Sequence, residues 1–454
     1  MGRVTTTPPQ DSAGPERGTP GPHDGAAPPG GPAVAEADPA TAEAERPGWR
    51  RDVTVFLTGQ TVSLLGSMLV QYAVMWHLTL TTQSGTVLAV SSVVGFLPQA
   101  VVSVFGGVWA DRLDRRALII GADATIAVTT LALALLMMAG ADDLWLIYLT
   151  LAIRSAGAGI QTPAVGALLP QIVPTSRLMR VNGINGTIQA ALMLLAPAAA
   201  AALYAGWDIV AIFFVDVVTA VVGIALLLTI RVPRLVRSDA DAPVGYFDDL
   251  VAGFRYVAHH AFVRWVLGLF AVVFVLIVAP SYLTPLMVVR TFGDEVWKLT
   301  VNEVAFSVGM MLGGGAVAAW AANANRMALL LRSTLVFGVL SVAMGLSTNM
   351  WVFFSLMFAL GLAVPFFSTP STTVLQETVE PEMQGRVFGF VGIVMALAMP
   401  VGMAVFGPLA DRFRVEQLLV AAGIALFAVV GLAMALPSGR RSIAAAGARA
   451  TSDA

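Results

Sequence analysis

The sequence predicts an all-α membrane protein with twelve transmembrane helices in two six-helix halves and both termini cytoplasmic. Three observations carry that prediction. Hydrophobic residues form 57 % of the chain and charged residues 12 %, with a mean hydropathy of +0.80, so hydrocarbon is the expected solvent. Apolar stretches of about 20 residues, enough to cross about 30 Å of hydrocarbon, recur along the chain. The chain also repeats itself: "TPAVGALLPQIVPTSRLMRVNG" from Thr162 aligns with "TPSTTVLQETVEPEMQGRVFG" from Thr369 once one residue is dropped, and Gly106 and Gly107 fall on Gly313 and Gly314 at the same offset. Two such halves are the plan of a secondary transporter with its substrate site at the midplane between them.

In chain order, residues 1–48 form a tail rich in Pro, Gly, Ala and acidic residues, expected to be disordered. It lacks the apolar core of a signal peptide, so the first span is expected to be retained. The first half, 49–230, carries spans near 56–80, 86–110, 117–139, 144–168, 182–204 and 209–230. A cytoplasmic linker, 231–264, follows, in which Leu250, Phe254, Val257 and Ala261 share one helical face and predict an interfacial amphipathic helix. The second half, 265–437, carries spans near 265–289, 300–321, 328–347, 351–372, 386–408 and 417–436, and 438–454 form a second disordered tail.

Short-loop arginines set the orientation. Arg46, Arg50 and Arg51 precede span one, and Arg112, Arg115 and Arg116 follow span two. Arg177 and Arg180 follow span four, Arg231, Arg234, Arg237 and Arg255 lie in the linker, and Arg440 and Arg441 follow span twelve. The alternate loops "TTQSG", "AGADD" and "YAGWD" have no basic residue, which places both termini in the cytoplasm. Arg290, Lys298, Arg412 and Arg414 fall on the outer side and weaken the pattern in the second half only.

Several functions are disfavoured. The chain has no cysteine, and His23, His77, His259 and His260 never reach a metal-ligand spacing, so no metal site or cofactor is expected. No Walker A, GxGxxG or nucleophile-elbow motif is present, which argues against a pump driven by ATP and against an enzyme. The net charge of −2 gives no reason to expect nucleic acid.

Gly107, Asp111, Arg112, Arg115 and Arg116 in "GGVWADRLDRR" fit the spacing Gly-x-x-x-Asp-Arg-x-Gly-Arg-Arg, with Asp114 in place of the last Gly. This segment resembles the loop between the second and third spans of the major facilitator superfamily. Gly107 would let helices approach closely, and Asp111 would face the positive N-terminus of a neighbouring helix. The resemblance implies a conformational latch in which the arginines pair with carboxylates as the halves rock; alternatively the arginines only fix topology. At the matching position of the second half Asp111 becomes Ala318, so one latch is expected.

"LTGQTVSLLGSMLVQYAVMWHLTLTTQSG" (57–85), "PLMVVRTFGD" and "VEPEMQGRVFG" are similar to the macrolide-efflux branch of the drug:proton antiporters, which also includes enterobactin-type siderophore exporters. The resemblance spans roughly residues 50–436. "APAAAA" from Ala196 departs from the Gly-Pro-x-x-Gly-Gly that antiporters often carry in span five.

An ionisable group deep in a span costs about 2.5–3.5 kcal/mol on insertion scales and needs an explanation. Arg154 lies near the middle of span four and is similar to an Arg of proton-coupled superfamily members. Asp123 in span three and Asp216 in span six are the other proton-coupling candidates; Asp216 is nearer to Arg154 in depth, Asp123 nearer to the latch. A permanent Asp–Arg pair holding helices in register is the structural alternative. Glu303 is expected to be a solvated end residue and His77 interfacial. Gln60, Ser63, Ser67 and Gln71 form one polar stripe on span one, facing a substrate cavity or another helix. Gln99, after Pro98, is a further cavity candidate, as are Phe270, Phe274, Phe366 and Phe367 for a bulky amphiphile, with lipid contact or packing the alternative for these rings.

The expectation is therefore a monomeric transporter of a bacterial inner membrane that exports a lipophilic small molecule, such as a macrolide, in exchange for protons by alternating access. A dedicated exporter of one metabolite or siderophore, a lipid flippase, and a non-transporting receptor are the alternatives. The abundance of Ala and the single lysine, Lys298, among many arginines suggest a GC-rich bacterial genome.

Overall fold

The computed structural model describes residues 48–232, 246–320 and 325–435. The two expected disordered tails fall outside them except at Gly48, as do Arg46, Arg234, Arg237, Arg440, Arg441 and the Leu250 side chain. The first half comprises α1 (Trp49–Thr82), α2 (Gly85–Arg112), α3 (Arg115–Met138), α4 (Leu144–Ile172), α5 (Leu178–Gly206) and α6 (Ile209–Leu228). Between the halves lies α7 (Tyr246–His259). The second half comprises α8 (Ala261–Tyr282), α9 (Thr284–Phe292), α10 (Val296–Trp320), α11 (Arg326–Leu346), α12 (Met350–Thr378), α13 (Pro381–Arg412) and α14 (Val415–Ala435). Among the described residues twelve spans are long and apolar enough to cross a bilayer, with α8 and α9 sharing one.

Helix starts follow from short polar side chains that accept from the free N–H groups of a first turn. Ser84 accepts from Val87 N–H at the head of α2, Asn325 from Ala328 N–H at the head of α11, and Asn349 from Trp351 and Val352 N–H at the head of α12. Asp114, the departure from the family's loop pattern, caps α3 by accepting from Ala117 N–H at 3.0 Å. The seventh span was expected to be one helix over 265–289. It breaks at Leu283, because Pro280 and Pro285 each remove an N–H donor within two turns. α7 is the expected linker helix, with Phe254 largely exposed and its ring 6.1 Å from Phe390 of α13. It ends at His259, so Ala261 belongs to the next helix and not to that face.

Within the first half α2 packs on α4, α1 on α6, and α3 on both α4 and α6; within the second, α10 packs on α12, α11 on α12 and α14, and α8 on α13 and α14. Small residues make these approaches close. A Cβ on Gly361 of α12 would stand 2.1 Å from the Phe306 carbonyl of α10, and one on Gly106 2.5 Å from the Gly159 carbonyl of α4. Gly107, expected to serve the close approach, faces open space, because its neighbour Gly106 is the residue turned toward α4. The halves meet along α2 with α13 and α5 with α10.

Candidate functional site

The membrane-embedded charges gather where α1, α3, α4 and α6 meet. Arg154 of α4 donates to Asp216 Oδ2 of α6 and to Thr130 Oγ1 of α3. Ser67 of α1 donates to the other carboxylate oxygen of Asp216 at 3.4 Å, and Thr130 Oγ1 donates to Oδ2 at 3.3 Å. Asp216 is thus a paired carboxylate whose oxygens both have donors, and it is 1 % exposed. Gly66 lets α1 reach this group: a Cβ there would fall 1.9 Å from Thr219 Oγ1 and 3.1 Å from Asp216 Oδ1.

Asp123 of α3 is equally buried, at 2 % exposure, but has neutral donors. Its Oδ1 accepts from Ser63 Oγ of α1 at 3.5 Å and from Gln161 Nε2 of α4, while its buried Oδ2 lacks a hydrogen-bond partner among the described residues. The two carboxylates therefore differ in kind: one is held by a guanidinium, the other by hydroxyl and amide donors.

A cavity of about 300 Å³ lies between the halves, within the size range of small-molecule sites. Ser67, Gln71, Gln99, Arg154 and Gln161 line it from the first half, and Tyr282, Pro285, Met399 and Met403 from the second. The polar stripe on α1 divides along its length. Ser67 and Gln71 reach the cavity, Ser63 turns to Asp123, and Gln60 is half-buried away from the cavity lining. Gln99 lines the cavity, and its backbone N–H, one residue past Pro98, donates to Ser155 Oγ of α4 at 2.9 Å.

The four phenylalanines do not join the lining of this cavity. Phe270, Phe274 and Phe367 pack against one another inside the second half and Phe367 also against Phe337, ring centroids 4.5–5.9 Å apart, where α8, α11 and α12 converge. Phe366 is half-buried, and its carbonyl accepts from Ser333 Oγ of α11. Phe270, Phe274 and Phe367 thus belong to a packed aromatic core, since three helices turn apolar faces to one point, while among the described residues Phe366 makes no ring contact within it. Glu303, expected in solvent, is half-buried two turns inside α10, because that helix begins at Val296.

At the loop between α2 and α3, Arg115 donates through Nε to the Ala110 carbonyl at 2.9 Å and through Nη1 to the Ala167 carbonyl at 2.7 Å. Arg116 donates to the Leu228 carbonyl. These arginines tie the carboxyl ends of α2, α4 and α6 together, where free carbonyls and the helix dipoles favour cations. Asp111 is largely exposed with Arg115 at 3.7 Å, and Arg112 is exposed.

Sequence reasoning passed over Thr130 and Gln161, which complete the two carboxylate sites. Each lies seven residues after a charged candidate, Thr130 after Asp123 and Gln161 after Arg154, so helical spacing alone places each pair on one face.

The profile of the Major Facilitator Superfamily matches residues 53–403. The chain belongs to the major facilitator superfamily. Macrolide efflux protein A of Streptococcus pyogenes is 31 % identical over 84 % of this chain and 95 % of its own length. A protein of the same name from Enterococcus faecalis is 31 % identical over 69 % of this chain and 97 % of its own. Among solved structures, a bacterial homologue of the human lysosomal transporter Spinster, in its inward-facing and unoccupied conformation, superposes with a TM-score of 0.63 at 14 % identity, covering 88 % of this chain and 97 % of that one. The nucleoside transporter NupG gives 0.60 at 12 % identity, covering 84 % and 97 %. At such identities these structures speak to the fold alone. This superfamily member is a multi-pass membrane transporter and not an enzyme.

Proposed function

We propose that this transporter exports lipophilic drugs such as macrolides from a bacterial cytoplasm in exchange for protons, by alternating access about the cavity between its halves. The observation that carries the coupling part is the contrast between the two buried carboxylates: Asp216 is neutralised by Arg154, whereas Asp123 is held by Ser63 and Gln161 without a cation. Asp123 is the proton carrier in this reading. Gln161 both donates to Asp123 and lines the cavity, so a substrate that draws the Gln161 amide away changes which protonation state Asp123 prefers. Arg154 also lines the cavity while holding Asp216, and it keeps α4 and α6 in register as the halves move.

The export direction is supported by the identity to the two proteins named for macrolide efflux. The termini, the arginine loop after α2 and α7 face the cytoplasm in this reading, which follows the loop arginines. A membrane potential of about 100 mV is worth about 2.3 kcal/mol per proton charge, which sustains roughly a fifty-fold substrate gradient. Protein, substrate and protons suffice, with the transporter a monomer of the inner membrane.

Everted vesicles holding an inward proton gradient, reported by a pH-quenched dye, test this reading. A macrolide is expected to restore fluorescence with the wild-type chain and not with Asp123→Asn, while Asp123→Asn still binds the macrolide. Macrolide movement without any proton flux would instead favour an uncoupled carrier, and binding without movement a receptor.

A further inference from the structure

The cavity and its charges leave unused a polar cluster at the opposite end of the molecule from the start of α1 and the end of α14. Its sequence echoes the arginine loop. Gly107, Ala110, Asp111 and Arg112 at the end of α2 recur as Gly407, Ala410, Asp411 and Arg412 at the end of α13. The two copies lie at opposite ends of the molecule, because the end of α13 meets the start of α2, so the two helices run antiparallel.

The second copy reaches across to the other half. Asp411 accepts from Ser84 Oγ at 3.0 Å and from the Gly85 and Thr86 N–H groups at 2.6 and 2.8 Å. The two N–H groups are first-turn donors of α2 that no carbonyl of that helix can satisfy, at a helix end where the dipole favours an anion. Arg290, at the end of α9, donates to the Ala410 carbonyl at 2.6 Å and to the Gln83 carbonyl of the first half, and stands 3.3 Å from Asp411. The backbones touch directly below: a Cβ on Gly85 would meet the Gly407 carbonyl at 2.3 Å, and one on Gly407 the Ala89 Cβ at 2.4 Å.

We infer that Asp411 and Arg290 form a releasable clamp between the halves, closing this end of the transporter while the other end is open. The inference rests on the alternating-access reading above. Exposure separates the clamp from a fixed structural pair. The Asp411 and Arg290 side chains are 30 % and 29 % exposed, so water takes over their bonds when the halves part, whereas Asp216 and Arg154 at 1 % and 10 % have no such substitute. Ser84 Oγ also accepts from Val87 N–H, so α2 keeps a cap after Asp411 withdraws. Arg290 and Arg412, misplaced for a topology rule that puts cations in the cytoplasm, sit beside this clamp, and Arg290 is part of it.

The chain has no cysteine, so spin labels attach only where cysteines are introduced. One pair, Asp142→Cys with Thr348→Cys, spans the halves at the clamp end. A second, Ser176→Cys with Glu380→Cys, spans them at the termini end, and Asp142→Cys with Ser176→Cys inside the first half monitors folding. Distances are read by pulsed electron resonance in lipid nanodiscs. Asp411→Ala and Arg290→Ala are expected to raise the ratio of long to short distances at the clamp end about tenfold, or about 1.4 kcal/mol, with shorter distances appearing at the termini end and the first-half pair unchanged. Arg414→Ala, whose partner Glu416 lies in its own half, is expected to change nothing. If macrolide or a pH step moves the wild-type distances while the clamp variants match wild type, the clamp is overturned and the rocking reading stands. If the clamp end opens without any closing at the termini end, the clamp stands and alternating access is the reading that fails.

Discussion

At the residue scale the decisive contrast is between two aspartates of similar burial. Arg154 donates to Asp216, and removing either partner alone leaves the other charge in a site with little water. Arg154→Met and Asp216→Leu are each expected to destabilise the protein by about 3–5 kcal/mol, while the double variant regains most of that loss; thermal unfolding in detergent measures it. Asp123→Asn, by contrast, replaces a carboxylate whose donors are neutral by an isostere with one acceptor oxygen. Its melting temperature is expected to stay near wild type while proton-coupled transport is lost. An Asp123→Asn protein that kept proton flux would move the coupling role to another group.

At the element scale, helix contacts are governed by single glycines. Gly106 has no room for a side chain against the Gly159 carbonyl, whereas Gly107 has open space. Gly106→Val is therefore expected to lower stability by about 1 kcal/mol or more, on the order of other overpacking changes. Gly107→Ala is expected to be neutral or to gain up to about 1 kcal/mol from helix propensity. Parallel unfolding curves in detergent decide this, and they separate packing from any latch role of the loop, which transport alone reads. The break between α8 and α9 is an element-scale feature that places Arg290 at a helix end beside the far turn of the first half.

At the scale of the whole molecule, the loop arginines predict one orientation. A green fluorescent protein fused after Ala454 is expected to fluoresce, and alkaline phosphatase fused within the loop at Ser347–Asn349 is expected to be active. The reverse result would invert the molecule in the membrane, and with it the side on which the clamp acts. In this orientation the proposed clamp acts at the outer end.

Much of this was legible in the sequence because a bilayer simplifies the reading. Every backbone polar group must be satisfied within its own segment, so hydrophobic length alone yields helices, and twelve spans and two halves follow. The repeat at Thr162 and Thr369, the arginine loop and the three intramembrane charges are likewise visible as residue types in an apolar setting. Helical periodicity says which residues share a face, but not what the face meets. For that reason the stripe from Gln60 to Gln71 did not reveal that Ser63 serves Asp123 and Ser67 serves Asp216, and Phe270, Phe274 and Phe367, suited to a cavity, pack among α8, α11 and α12. The second Ala-Asp-Arg, at 410–412, went unread in the sequence because its partners at Ser84, Gly85 and Thr86 lie more than three hundred residues away. Hydrophobic length and local charge are properties of a segment, and the sequence determines them by itself; pairing is a property of how segments are brought together, and only the tertiary structure decides it.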